Sequence, residues 1–346
     1  MNRLAVVLFN LGGPTSAESV EPFLFNLFND KAIIGAPQPL RWLVARVIAR
    51  RRAPAARGIY DKIGGASPLV PNTVAQARAL EAALTELGEV RVFPCMRYWH
   101  PMAPEVAGEV KSFGPDEIVL LPLYPQFSST TTASSYGAWC KAATAAGLPA
   151  VGRLVCCYPA QPGLVKALAA LVREGRETAR RQTGVSPRVL FSAHGLPNRI
   201  VAKGDPYPDQ VKETARKVAE ALGMGPDGWL VCYQSRVGPL EWIGPSTDDE
   251  IRRAGKEKIG LVVVPIAFVS EHSETLVELD IEYRHLAEQS GVPVYVRVPT
   301  VGTAADFVGG LADIVRGALL RKELVQSALG GRICAPAARC CLNPGG

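Results

Sequence analysis

The chain has 346 residues, 48% of them hydrophobic and 20% charged, with a formal net charge of +6. This length exceeds one small core and suits two domains, and the composition is that of a globular rather than a disordered chain. The longest nearly unbroken apolar run, 259–269, is too short to cross a bilayer core of ~30 Å. The modest positive charge allows acidic ligands or contact with an anionic surface, and no nucleic-acid partner is expected.

In chain order, LAVVLFN (4–10) reads as the first strand. The opening MNRLAVVLFNLGGPTS has a basic start and an apolar stretch but no small-residue cleavage site, so a cytoplasmic protein is expected. RWLVARVIARRRAP (41–54) sets Trp42, Leu43, Val44, Val47 and Ile48 beside Arg41, Arg46, Arg50, Arg51 and Arg52. That is a basic amphipathic helix. It is either an ordinary surface helix or a lip that touches a membrane or grips carboxylates on a large apolar ligand.

Further strands are expected at 90–96, 117–124, 151–158, 188–194, 229–235, 259–268 and 294–299, with helical periodicity between them, as in 72–88 and 208–223. Most of these strands are continuous Val/Ile/Leu runs without alternation, the pattern of strands buried on both faces of a parallel sheet. The fold class expected is α/β, with two doubly wound Rossmann-like lobes, each a four-stranded parallel sheet flanked by helices. The lobes are expected at 1–155, with about 305–325 packing back, and at 156–304, followed by a cysteine-rich extension at 326–346.

In open parallel sheets the chemistry lies beyond the carboxyl ends of the strands. Those ends are rich in polar residues here: Asn10-Leu11, Arg97-Tyr98, Tyr124 with a Ser/Thr run after it, His194-Gly195, Gln234-Ser235 and Glu271-His272. They are expected to meet in a cleft between the lobes. His194, one of four histidines, ends a buried strand, where a neutral imidazole accepts a proton near pH 7 or binds a metal.

SEHSETLVELDIEY (270–283) is expected to open a helix with Ser270 as its N-cap. Glu271, Glu274, Glu278 and Glu282 then form one stripe, and Leu276, Leu279, Tyr283 and Leu286 another. No lysine follows these glutamates at i+4, so the stripe reads as self-repelling, suited to conducting protons or a hydrated divalent metal. The hydroxyls of 128–135 are expected to cap the next helix.

GMGPDG (223–228) follows a helix and precedes a strand, the reverse of a dinucleotide site, and no phosphate loop, H-E-x-x-H or G-x-S-x-G is present. Nucleotide chemistry, zinc proteolysis and serine hydrolysis are therefore not expected. Cys334, Cys340 and Cys341 crowd the last 13 residues. Their C-x5-C-C spacing fits zinc fingers poorly, and with one more thiolate it would supply the four ligands of an iron–sulfur cluster.

The segments LFNLGGPTS, IGGASPL, MRYWHP, LPLYPQFSSTTTASS, LFSAHGLP, GDPYPDQV, CYQSRVGPLEWIGPST and PIAFVSEHSETLVELDIEY resemble the ferrochelatases, in order, across roughly residues 4–320. The resemblance implies a lyase of haem biosynthesis that inserts Fe²⁺ into protoporphyrin IX and releases two protons. The porphyrin would lie between two lobes. It makes His194 and Glu274 the catalytic and iron-handling pair, and Glu271, Glu278 and Glu282 the path behind them. Asn10, Arg97, Tyr98 and Trp242 fall on residues around the macrocycle, and Arg51, Arg52 and Ser67 on residues near the propionates. Ala66 stands where the family often has a third glycine. Leu11 stands where some members have Tyr or Met, so no axial protein ligand is expected.

Some members also carry a [2Fe–2S] cluster. The resemblance implies Cys334, Cys340 and Cys341 as ligands, with Cys157 as the internal fourth and Cys156 as its rival. The alternatives are a chelatase for coproporphyrin III or a cobalt–corrin precursor, and a non-catalytic porphyrin or metal carrier. Arg51 and Arg52 with the apolar lip favour a dicarboxylate porphyrin. Reversible contact of 41–54 with the inner membrane surface and a homodimer complete the expected partners.

Overall fold

A computed structural model describes residues 3–236, 238 and 240–343; the last three residues of the predicted extension lie outside it. The chain forms two compact units. One contains the residues up to Tyr158, Leu311–Ile333 and those from Cys341; the other contains Pro159–Gly310 and Cys334–Cys340.

In the first unit β1 (Arg3–Asn10) leads to α1 (Val20–Phe28), α2 (Gln38–Asp61), α3 (Leu69–Ala82), β2 (Glu89–Met96), α4 (Ala103–Phe113), β3 (Glu117–Pro122), α5 (Thr132–Ala146) and β4 (Arg153–Val155). The second unit runs through α6 (Pro162–Thr183), β5 (Arg188–His194), α7 (Asn198–Val201), α8 (Tyr207–Ala221), β6 (Trp229–Gln234), α9 (Thr247–Glu257) and β7 (Leu261–Pro265). A π-helix (Glu274–Glu282), α10 (Tyr283–Ser290) and β8 (Tyr295–Arg297) follow, and then α11 (Ala305–Leu320) and β9 (Val325–Gln326).

All eight predicted strands form, and every pairing is parallel. The orders are β2-β1-β3-β4-β9 and β6-β5-β7-β8. The first sheet has a fifth strand beyond the expected four, because the two residues of β9 pair with β4. Two residues carry no readable periodicity. Each sheet repeats one rule: the first strand lies between the second and the third. The winding reverses there, and the crevice at the carboxyl ends of those strands is where such sheets bind ligands. His194 ends the first strand of its sheet, and Asn10 ends the first strand of the other.

The strands are buried as their composition requires: Val6, Val7 and Leu8 of β1 and Leu261 to Val264 of β7 have no exposed surface. Helix ends follow local chemistry. Gln161 accepts a hydrogen bond from Leu164 N at 2.8 Å, and Ser246 accepts one from Asp249 N at 3.1 Å, each capping the helix that follows.

Helix α2 packs on α1 through alanines every fourth residue, Ala45, Ala49 and Ala53, in a core with Val20, Phe23, Leu24 and Tyr98. The far side of α2 presents Leu40, Leu43 and Val47 to solvent, with exposed Trp42 beside them. No helix of the described residues is long and apolar enough to cross a membrane.

Candidate active site

The site of the second unit is built from three strand ends. β5 delivers His194, β6 delivers Gln234 and Ser235, and the segment after β7 delivers Glu271, His272, Glu274 and Glu278. His194 Nδ1 lies 2.6 Å from the carbonyl of Gly195. A carbonyl only accepts, so Nδ1 carries a hydrogen, and in the neutral ring Nε2 is the lone-pair nitrogen. Nε2 stands 3.8 Å from Oε1 of Glu274.

His272 repeats the arrangement. Its Nδ1 is 3.2 Å from the carbonyl of Ser270, and its Nε2 is 3.6 Å from Oε2 of Glu274. One carboxylate thus faces two imidazoles. Burial alone would raise the Glu274 carboxyl, but His194 and His272 in their protonated, charged form outweigh it and hold the pKa at about 2. Glu278 moves the other way, raised by burial and by the neighbouring Glu274 charge. Two carboxyls one turn apart therefore have opposite proton preferences.

Glu278 is tied down by Gln234 Nε2 at 3.0 Å, Ser235 N at 2.7 Å, the Ser235 hydroxyl and Tyr283 OH at 3.1 Å. Ser235 adopts a left-handed backbone, with φ of 60°, which turns its N–H toward that carboxylate. Gln234 Nε2 also reaches the Glu274 carbonyl at 3.1 Å.

The expected α-helix over 270–283 is a π-helix beginning at Glu274, and Tyr283 N bonds the Glu278 carbonyl five residues back. Glu274 and Glu278 are half-buried on it, and Glu282 at its end is exposed. Leu279 and Tyr283 turn into the core of the sheet, and Leu286 packs against it. Ser270 is not the N-cap. His272 N bonds Thr275 Oγ1 at 3.0 Å instead.

Glu271 leaves the stripe, and the expected self-repulsion does not hold there. It pairs with Arg297 of β8 at 2.7 Å and accepts from Thr300 N at 2.9 Å. Burial would raise its pKa, but Arg297 lowers it below the usual range. This partner is 26 residues away in sequence, beyond any i+4 rule.

Gly195 leaves little room for a side chain. A Cβ there would stand 3.1 Å from both the Gln234 carbonyl and Trp242 Cε3. The close approach that this glycine allows is to its own chain. Trp242 lies with its ring 6.4 Å from the His194 ring, and its Nε1 is buried without a hydrogen-bond partner in the described residues.

In the first unit the predicted porphyrin residues cluster at the ends of β1 and β2. Asn10 is buried, its Nδ2 donating to Thr73 at 2.9 Å and its Oδ1 accepting from Leu11 N at 2.8 Å. Arg97 N and Tyr98 N bond the carbonyls of Asn10 and Leu11. Tyr98 is fully buried with its hydroxyl 2.7 Å from Asp30. Leu11 is half-buried. Ser67 is buried, with its Oγ only 2.4 Å from where a Cβ on Gly13 would stand. On α2, Arg51 and Arg52 are exposed, and Arg52 lies 5.8 Å over the Phe28 ring.

The Ser/Thr run does not cap α5. Thr131 makes no side-chain cap, and the hydroxyls of Thr131 and Thr132 are buried without partners in the described residues. His272 and Asp30 are the functional candidates that sequence reading left out. His272 was legible as the neighbour of Glu271 at a strand end, whereas nothing local marked Asp30.

The sulfurs named for the cluster are not assembled as a ligand set. No three His, Cys, Asp or Glu among the described residues could hold a metal ion as placed. Cys334 Sγ accepts from Gln210 Nε2 at 3.2 Å, Cys340 Sγ reaches the Lys203 carbonyl at 3.5 Å, and buried Cys157 has the Cys156 sulfur at 3.6 Å. As they stand, these residues do not fit the cluster.

Two parallel sheets with chemistry at the reversal of their winding define the chelatase fold. A sirohydrochlorin chelatase from Bacillus subtilis subspecies spizizenii in complex with cobalt shares it, with a TM-score of 0.52 at 11% identity, covering 92% of this chain and 95% of that one. The ferrochelatase family model matches residues 3–319. Ferrochelatases of Phenylobacterium zucineum and Caulobacter vibrioides are 54% and 53% identical, covering 99% and 98% of this chain and 99% and 97% of theirs. The chain belongs to the ferrochelatase family.

Proposed function

We propose that this chain inserts Fe²⁺ into protoporphyrin IX, with His194 as the base that takes pyrrole protons. One observation carries the reading: Nδ1 of His194 is committed to the Gly195 carbonyl, so Nε2 is the nitrogen free to take a proton, and it faces Glu274 at 3.8 Å, whose carboxyl is held at about 2 by the charged imidazoles that proton transfer would create. Metalation replaces two N–H bonds with bonds to Fe²⁺, so two protons must leave. Each proton arriving at an imidazole makes a cation, and a permanently charged Glu274 stabilises that cation. His272 on the second oxygen of Glu274 offers a place for the other proton. Glu274 stays charged throughout; Glu278, whose raised pKa suits it to hold a proton, is the next acceptor, and exposed Glu282 the exit to solvent. Glu271 is the anchor of this segment rather than a carrier.

Fe²⁺ is a substrate here. Arg97 and Trp242 serve the macrocycle, and Arg51 and Arg52 its acidic side chains. The exposed apolar side of α2, edged by arginines, rests reversibly on the inner membrane surface, from which an apolar porphyrin is drawn.

The deciding experiment compares Fe²⁺ insertion into protoporphyrin IX and coproporphyrin III by purified protein and by His194→Ala. Faster turnover of protoporphyrin, lost in the variant, is expected. Preference for coproporphyrin would overturn the substrate, and an unimpaired variant the mechanism.

The [2Fe–2S] reading of the extension rests on family resemblance and on one local contact, Ala328 N to the Cys157 carbonyl at 2.9 Å. No step above runs through a cluster. Stoichiometric iron and acid-labile sulfide in anaerobically purified protein would support it, and their absence would favour the thiols as the hydrogen bonds place them.

A further inference from the structure

The Asp30 side chain sits just past α1 and is only 6% exposed. A buried carboxylate is costly unless its lone pairs are filled, and here they are. Arg97 Nη2 donates to Oδ2 at 2.8 Å, Tyr98 OH at 2.7 Å, and the Ser134 hydroxyl also donates there. Oδ1 accepts from Ala32 N at 2.9 Å. Ser134 closes a ring, since its Oγ accepts from Arg97 Nε at 2.8 Å while it donates to Asp30.

Arg97 is thereby gripped on two of its nitrogens from one side. Its guanidinium is also stacked 4.8 Å over the Tyr98 ring, and its side chain remains 23% exposed. No hydrogen bond joins Nη1 to a described residue. A guanidinium has five donors in a rigid plane, so fixing Nε and Nη2 fixes the direction of the remaining edge. The Asp30–Arg97 pair is neutral as a whole, so what it offers a ligand is an aimed pair of N–H groups rather than net charge.

We propose that Asp30 is a positioning residue. Through Arg97, with Ser134 as the second arm, it presets the Nη1 edge that a porphyrin meets. This rests on the reading of Arg97 as a porphyrin residue given above. Three elements converge to make the lock: the loop after α1, the end of β2 and the start of α5. No local sequence pattern would reveal it.

A double-mutant cycle tests it, with Asp30→Asn, Arg97→Leu and the pair measured for porphyrin KM, kcat and porphyrin affinity by tryptophan fluorescence. Asp30→Asn is expected to raise KM about tenfold with kcat changed less than about threefold. Arg97→Leu is expected to raise KM at least as much, and the pair to match Arg97→Leu alone. Ser134→Ala, which leaves no unpaired charge and guards against misfolding of the first variant, is expected to raise KM about threefold. If Arg97→Leu leaves KM unchanged, the porphyrin reading of Arg97 fails and the proposal with it. If Arg97→Leu raises KM but Asp30→Asn costs the same factor with or without Arg97, only the positioning claim fails.

Discussion

Nε2 of His194 stands 3.8 Å from Oε1 of Glu274, too far for a hydrogen bond and close enough for a strong charge interaction once the ring is protonated. In the proposed mechanism the pair is poised for the product of proton transfer rather than for the resting state, which is how transition-state complementarity is built. Substituting Glu274→Gln keeps the shape and removes the charge. Insertion rate should fall about a hundred- to ten-thousandfold in this variant and in His194→Ala, with porphyrin binding retained. Stopped-flow absorbance of metalation beside a porphyrin titration separates the two effects.

Glu271 and Glu274 should respond differently. Glu271 faces Arg297, which also holds Asp280 through Nε at 2.9 Å, so its role is to clamp the start of the π-helix. Glu271→Gln should cost about 3 kcal/mol of stability, because it leaves Arg297 partly unpaired. Its insertion rate, measured well below the lowered melting temperature, should stay within about threefold of the parent. Denaturant melts beside rate measurements check this, and a loss as large as that of Glu274→Gln would return Glu271 to the proton path.

Asp30 gives the fold a pH signature. Burial would raise its carboxyl, but Arg97 and the hydroxyls of Ser134 and Tyr98 outweigh it and hold it below the usual 3.8. A depressed folded-state pKa stabilises the fold above the unfolded value and stops doing so as pH falls through the folded one. The stability gap between the parent and Asp30→Asn should therefore be widest near neutrality and shrink steadily below about pH 4. Urea melts across that range would show it, and a pH-independent gap would contradict it.

Gly204 has a φ of 93°, and a Cβ on it would stand 2.7 Å from the Ala337 carbonyl and Arg339 N. Its carbonyl accepts from Cys340 N at 3.2 Å. Gly204→Ala should push residues 337–340 away, cost about 2 kcal/mol, and expose the C-terminal segment to limited proteolysis. An unchanged digestion pattern would mean that the segment is held elsewhere.

On α2, Leu43 and Val47 are 55% and 42% exposed. Replacing both with glutamate should leave the melting temperature nearly unchanged and lower binding to anionic vesicles at least tenfold, since each buried aliphatic side chain is worth about 1.5–3 kcal/mol. Vesicle sedimentation measures it. Equal sedimentation of parent and variant would remove α2 as the contact.

The strand set was legible because strands buried on both faces need uninterrupted Val, Ile and Leu, and nothing in the rest of the chain imitates that pattern. β9 was not, because two residues joined to β4 are held by their neighbour alone. His194 and Glu274 stood out as reactive side chains where apolar runs end. The stripe around Glu274 was read with the α-helical period, whereas the segment winds as a π-helix with Leu279 and Tyr283 in the core, a difference that the local pattern of residues does not carry.

What the sequence determined by itself was therefore local: the α/β rhythm, the strand ends and the residue types placed there. The tertiary structure decided the partners. Arg297 meets Glu271 and Asp30 meets Arg97 across 26 and 67 residues, and His272 turns its ring onto Glu274. Charge and hydrogen bonding act through space at a few ångströms, so a residue's chemistry depends on neighbours that only folding brings to it.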